Sequence, residues 1–285
     1  MNIELKNVDY IYNEGLPSEV YALKDINLKI GSHEIIGLIG QTGSGKSTLV
    51  QLLNGLLLPS NGEVNVDGVS TKDKQKRRDI RFKVGLVFQY PEHQLFEETI
   101  AKDIAFGPKN MKLSDKDVDI RVKEAMDKVG LDYETYKDIS PFEISGGQQR
   151  RVAVAGIISM NPKVLVLDEL TAGLDPAGRE EIFSEIISIY NNDPELSIVL
   201  VSHSMEDVAE YVDRVIVMNK GEVFSDATTY DTFNKVDLEG IGLDIPQIAK
   251  FMRAYKKIGN EVADDIYTIE SAVKELSSYL GVSDE

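Results

Sequence analysis

The chain has 285 residues with 42% hydrophobic content, enough for a soluble protein to bury a sizeable core, and it contains no cysteine, which excludes disulfides and thiolate metal sites. Its 48 acidic residues outnumber 31 basic ones for a formal net charge of −17, a field that repels nucleic-acid phosphates, so no nucleic-acid partner is expected. The longest apolar runs, VAVAGIISM and VLVL, fall far short of the roughly 20 residues that span a bilayer. With no secretory leader in MNIELKNV, the cytoplasm is the expected compartment.

Over the first seventy residues, strand-like alternation at Ile26, Leu28, Ile30 and later Val64 and Val66, ahead of a turn at Asp67-Gly68, predicts an antiparallel β layer. EIIGLIG interrupts it as a buried strand and feeds a helix whose Leu49, Leu52, Leu53 and Leu56 share one face. Between strand and helix lie Gly40, Gln41, Thr42, Gly43, Ser44, Gly45, Lys46, Ser47 and Thr48, which satisfy G-x-x-x-x-G-K-[ST] in full. Glycines there let backbone N–H groups wrap a β-phosphate, Lys46 reaches the β and γ oxygens, and the Ser47 hydroxyl can ligate Mg²⁺. A dinucleotide fingerprint fails, because Thr48 stands where a third glycine belongs.

VGLVF, KVLVLDE, SIVLVSH and RVIVMN are separated by helical patterns, which argues for a parallel sheet. Roughly 91–160 reads as a helical insertion, with Val118, Val122, Ala125, Met126 and Val129 on one face of a helix entered at Ser114 and closed at Gly130. Asp168 and Glu169 end the buried run VLVL, where one acid can serve a metal and the other can orient and deprotonate a water. His203 ends the next apolar strand, a position with no chemistry of its own in the pattern. Ser145, Gly146 and Gly147 open a helix and form a second turn able to hold an anion. After about 225 the alternation stops, and two stripes follow: Ile248, Phe251, Met252, Tyr255, then Ile269, Val273, Leu276, Leu280. These either pack on the parent domain or make a dimer contact.

Taken together, the phosphate loop, FQ at 88–89, ISGGQ at 144–148, VLVLDE at 164–169, AGLD at 172–175 and SH at 202–203 resemble the ATP-binding cassette family over nearly the first 225 residues. The resemblance implies an α/β P-loop NTPase with a parallel-sheet core, an antiparallel β layer, a helical signature subdomain and a C-terminal helical appendix at 226–285. It implies ATP and Mg²⁺, and two cassettes meeting head to tail so that Ser145, Gly146, Gly147 and Gln148 of one close over the γ-phosphate held by the other. By motif position Tyr12 would stack the adenine, Gln89 would sense the γ-phosphate and, with Ser47 and Asp168, the metal. Glu169 would be the base, Asp175 would link the two sites, and His203 would brace the γ-phosphate.

FQYPEHQLFEETIAKDIAFGPKN and the helical tail are similar to the ATPase subunits of energy-coupling-factor transporters, which take up vitamins and transition-metal ions. That resemblance implies a second, non-identical ATPase, a transmembrane coupling subunit, a separate substrate-binding membrane subunit, and a place on the cytoplasmic face of the cell membrane. Tyr90, Leu95, Phe96, Glu97 and Glu98 are then candidate contacts for the coupling subunit, apolar anchors with an acidic rim that includes Glu92. A conventional importer or exporter cassette is the nearest alternative; a soluble cassette ATPase of DNA repair or translation would want a basic surface or a second cassette. One departure stands out: the family's LDEPTAGLDP reads LDELTAGLDP, with Leu170 in the proline position, which is expected to loosen the link from Glu169 to the Asp175 loop.

Overall fold

Apolar spacing sets the strands. In the computed structural model, which describes residues 1–281, β1 (Ile3–Tyr12) and β2 (Val20–Ile30) precede β3 (Ile35–Gly40), whose six residues are all buried. Helix α1 (Lys46–Leu53), β4 (Asn61–Val66), β5 (Val69–Ser70), α2 (Arg77–Lys83) and β6 (Val84–Val87) follow. Then come α3 (Ile100–Asn110), α4 (Asp115–Lys128), α5 (Tyr133–Tyr136) and α6 (Gly146–Ile158), with 3-10 turns at Pro91–Gln94 and Pro141–Glu143. Next are β7 (Val164–Asp168), α7 (Pro176–Asn192), β8 (Ser197–Val201), α8 (Met205–Tyr211), β9 (Arg214–Asn219) and β10 (Glu222–Thr228). The last elements are α9 (Thr229–Lys235), α10 (Gln247–Lys257) and α11 (Ile269–Leu280).

The chain forms two compact units, each discontinuous in sequence: Met1–Glu34 with Ser47–Val199, and Ile35–Lys46 with Leu200 onward. In the first, an antiparallel sheet runs β2-β1-β4-β5, with Ile3 opposite Ile30 on one side and Val66 on the other. Its alternating Ile3, Leu5, Val8, Ile26, Leu28, Ile30, Val64 and Val66 are buried on one face, as the period-2 pattern requires. Strands β6 and β7 pair in parallel, Val84 opposite Val164, and are buried throughout, with β8 on the far side of β7. Helix α4 starts where Ser114 accepts from the Asp117 N–H at 3.2 Å and is closed by Gly130 at φ +67°. Its Val118, Val122, Ala125 and Met126 are buried.

Helix α1 is shorter than its leucine spacing predicts. It ends at Leu53, Gly55 turns away at φ +70°, and Leu56 is left 41% exposed rather than on the buried face.

In the second unit β3 pairs in parallel with β9, and β9 antiparallel with β10. The two late stripes form α10 and α11, where Met252, Val262 and Ala272 make a small buried cluster with Ile248, Tyr255, Ile266 and Leu276 packed against it. Only part of each stripe is used: Phe251, Ile269, Val273 and Leu280 stay exposed. Helix α9 has no apolar period to reveal it, yet it buries Thr229, Thr232 and Phe233.

Because so few residues hold α10 against α11, Met252→Ala should weaken this cluster by about 2–4 kcal/mol. Hydrogen exchange should then show faster exchange across α10 and α11 with β9 amides unchanged.

Candidate nucleotide site

The phosphate loop is shaped by what cannot fit in it. Gly40 ends β3 opposite Met218, and a Cβ there would lie 2.4 Å from the Met218 carbonyl oxygen and 2.5 Å from Ser44 Oγ. Gly43 at φ +80° and Gly45 at φ +106° take backbone conformations that side chains disfavour. The turn closes with the Ser44 N–H donating to Gln41 O at 3.0 Å, and Ser44 O accepts from the Gly221 N–H at 3.0 Å. The buried Lys46 ammonium donates to Gly40 O at 2.6 Å and Gln41 O at 3.1 Å, which holds the loop curled. The first N–H groups of α1 have no intrahelical acceptor, and with the helix field they favour an anion. Ser44 Oγ is buried without a hydrogen-bond partner among the described residues. An orphaned hydroxyl inside a curl that only glycine permits fits a phosphate group. Gln41, Thr42 and the exposed His203 line one cleft with Gly242, Leu243 and Asp244, and Gln41 Nε2 donates to Gly242 O at 3.1 Å.

The other expected residues lie in the first unit. Asp168 ends β7 and is 8% exposed. Glu169 follows in a left-handed conformation, φ +51°, and its Oε2 accepts from Gln89 Nε2 at 2.8 Å. Tyr12 ends β1, 40% exposed, with its hydroxyl 3.2 Å from Thr48 Oγ1. Asp168, the Ser47 hydroxyl and the Gln89 amide are oxygen donors suited to Mg²⁺. Among the described residues there is no cluster of three His, Cys, Asp or Glu that could hold a metal alone. A magnesium site of one carboxylate, one hydroxyl and one amide oxygen, completed by phosphate and water, fits this donor set.

Sequence reasoning missed Arg150. It is 3% exposed in α6; its Nε and Nη2 donate to the two Glu92 carboxylate oxygens at 3.1 and 2.8 Å, and its Nη1 donates to Leu170 O at 2.9 Å and Ala172 O at 3.1 Å. The available signal was an arginine on the face of QQRRVAVAGII shared with the buried Val154 and Ile158. Burial pushes the Glu92 carboxyl up, but the Arg150 hydrogen bonds, a backbone bond and the nearby positive charge outweigh it and hold it below the ordinary glutamate range. The stability this pair contributes is therefore present above that range and is lost as pH falls through the lowered pKa.

These contacts correct one expectation and bear on another. Glu92 is bound to Arg150 and is no part of a free acidic rim. Leu170 is buried at 1% exposure and its carbonyl accepts from Arg150, so the loop after Glu169 is anchored at this residue.

Of the remaining residues expected to meet a coupling subunit, Tyr90 and Phe96 are exposed, while Leu95 is buried at 8% exposure and is no free anchor. Glu98 is paired with Lys102 at 2.6 Å, and the Glu97 N–H donates to Asp103 Oδ2 at 2.9 Å. Leu95 and Phe96 line an apolar groove with Pro91, Gln94, Phe106, Gly107, Gly156 and Met160. Gly156 sits in mid-helix, where a Cβ would meet nothing within 4 Å.

Ser145 caps α6: its hydroxyl accepts from the Gln148 N–H at 3.3 Å, and the Gln148 side chain accepts from the Ser145 N–H at 3.0 Å. A Cβ at Gly146 or Gly147 would also meet nothing within 4 Å, so packing within this chain does not demand glycine at either position. Asp175 caps α7, accepting from the Gly178 N–H at 2.7 Å ahead of Pro176.

A strand-loop-helix phosphate cradle, a strand-end acid pair and a capped serine-glycine turn define a P-loop ATPase of the cassette type. The pattern of the ABC transporter family matches residues 23–172. The chain is 54% identical to the energy-coupling factor transporter ATP-binding protein EcfA2 of Clostridium tetani, over 97% of this chain and 96% of that protein. It is 53% identical to its counterpart in Clostridium perfringens, over 97% of each. The solved structure of cbiO1 from Clostridium perfringens, described as part of the ABC transporter complex cbiONQ, superposes with a TM-score of 0.73 at 35% identity, over 88% of this chain and 98% of that one. The chain belongs to the ABC transporter family and, within it, to the energy-coupling factor transporter ATP-binding proteins.

Since Gly40 has no room for a methyl group, Gly40→Ala should abolish ATP binding while far-ultraviolet circular dichroism stays native. Binding of a fluorescent ATP analogue at wild-type affinity would contradict this account of the loop.

Proposed function

We propose that this chain hydrolyses ATP to energise uptake of a micronutrient, a vitamin or a metal ion, through an energy-coupling-factor transporter. It works paired head to tail with a second, non-identical ATPase at the cytoplasmic face of the membrane. Among the described residues no helix is long and apolar enough to cross a membrane, so the passage itself falls to partner subunits, one for coupling and one for substrate binding.

In this reading, residues 40–48 hold the phosphates of the chain's own ATP and Tyr12 lies against the adenine. Mg²⁺, when bound, neutralises charge on the β and γ oxygens. Ser47, Asp168 and Gln89 would hold it. Glu169 orients and deprotonates the attacking water, and its position depends on the Gln89 amide at 2.8 Å. His203 braces the γ-phosphate, and Asp175, besides capping α7, lies at the link to the partner's site.

The observation that carries the pairing is the open face at Ser145–Gly147. Glycine favours a helix less than alanine does, and among the described residues nothing lies where a Cβ at Gly146 or Gly147 would point. A close approach by a partner's nucleotide uses that space. The apolar groove at Phe96 and Gly156 is the proposed seat of a short helix of the coupling subunit, where Gly156 leaves room for close packing.

Glu169→Gln should retain ATP binding and lose hydrolysis by roughly 10² or more, and size exclusion with ATP should show an accumulated ATPase pair. Gly156→Leu should leave the chain folded and ATP-binding, and should weaken co-purification with the coupling subunit; undiminished recovery of the complex would remove the groove from the docking role.

A further inference from the structure

Four groups close a ring around the base. Gln89 bonds Glu169; three residues further on Glu92 bonds Arg150; and Arg150 bonds the carbonyls of Leu170 and Ala172, the first of which directly follows Glu169. Chain segments 89–92 and 169–172 are thus tied at both ends, once through an amide and once through a guanidinium. The guanidinium is almost fully buried and its fork is divided: one edge takes both Glu92 oxygens, and the remaining nitrogen takes two backbone oxygens. A lysine offers a point charge and cannot reproduce that division. Glu92 stands next to Pro91 and near Leu95, both of which line the apolar groove.

We infer that Arg150 is a positioning residue for hydrolysis: it locks the loop after Glu169 to the turn carrying Glu92, so that a partner seated on the groove sets where the base stands. Arg150 touches no reacting group; it acts through the Leu170 and Ala172 carbonyls. The inference rests on the ATPase reading above and deepens it. The glycine-rich turns hold nucleotide whether or not this ring is intact, so breaking the ring changes turnover and leaves affinity alone. It also uncouples turnover from what docks on the groove.

The test measures kcat and KM for MgATP in the assembled transporter, and the stimulation of hydrolysis on adding the membrane subunits, for wild type, Arg150→Lys, Glu92→Gln and the double variant. Each single change should lower kcat by about tenfold, leave KM within about twofold and abolish stimulation. The double variant should be no slower than the worse single one, because both changes break the same link. Replacing the buried pair with apolar groups, Arg150→Met with Glu92→Leu, leaves no unpaired buried charge, so this variant should fold and should be equally slow. Wild-type kcat and stimulation in any folded variant, additive losses, or a raised KM at unchanged kcat would overturn the inference. Failure of both Arg150→Lys and the apolar pair to fold would assign Arg150 to stability alone and overturn it too. If wild type shows no turnover that Glu169→Gln removes, the ATPase reading falls and this inference falls with it.

Discussion

A buried guanidinium is costly unless its charge and donors find partners, and Arg150 makes four hydrogen bonds from its three nitrogens by drawing three separate stretches of chain to one point. The helix that opens at Ser145, the turn after Gln89 and the loop after Glu169 all end their paths against this side chain. Removing one partner of such a pair leaves an uncompensated charge, a cost of about 3–5 kcal/mol. The constraint is strong because it is dry: Arg150 and Glu92 side chains are 4% and 15% exposed. The ordinary reason for a proline after the base is stiffness. Here residue 170 is a leucine, whose side chain is buried and whose carbonyl, an acceptor that proline would also offer, is bound to Arg150.

The phosphate loop and the acid pair were legible in the sequence because their geometry is written in neighbouring residues. Gly40, Gly43 and Gly45 need their own backbone freedom or space, and Lys46 returns to carbonyls only five and six residues back. Asp168 and Glu169 follow a strand whose apolar run announces itself. Arg150 was not legible, since its partners lie 58, 20 and 22 residues away and no periodicity encodes such distances. Glu92 misled for the same reason: an acid between exposed aromatics reads as surface until its partner is known. Leu56 misled through a local cause, because Gly55 ended the helix one turn before the leucine spacing did. Helix α9 escaped because threonines and one phenylalanine bury it without an apolar stripe.

Two glycine-rich turns in one chain have different physical reasons. In the first, glycine is forced from within, by the Met218 carbonyl and the Ser44 hydroxyl. In the second, nothing among the described residues forces it: Gly146 and Gly147 face open space at the start of a well-capped helix. A turn shaped from within serves the chain's own ligand, and a turn left clear suits something brought by another molecule. The exposed apolar remnants of α10 and α11, Phe251, Ile269, Val273 and Leu280, are likewise more than a lone chain needs to show to water.

The division of labour between the two turns is the central claim, and concentration tests it most directly. Purified chain should bind ATP at any dilution, while turnover per chain should fall toward zero on dilution and recover when the partner ATPase is added. Turnover per chain that stays constant on dilution to well below the pairing concentration would contradict the account, because one chain would then complete the site alone.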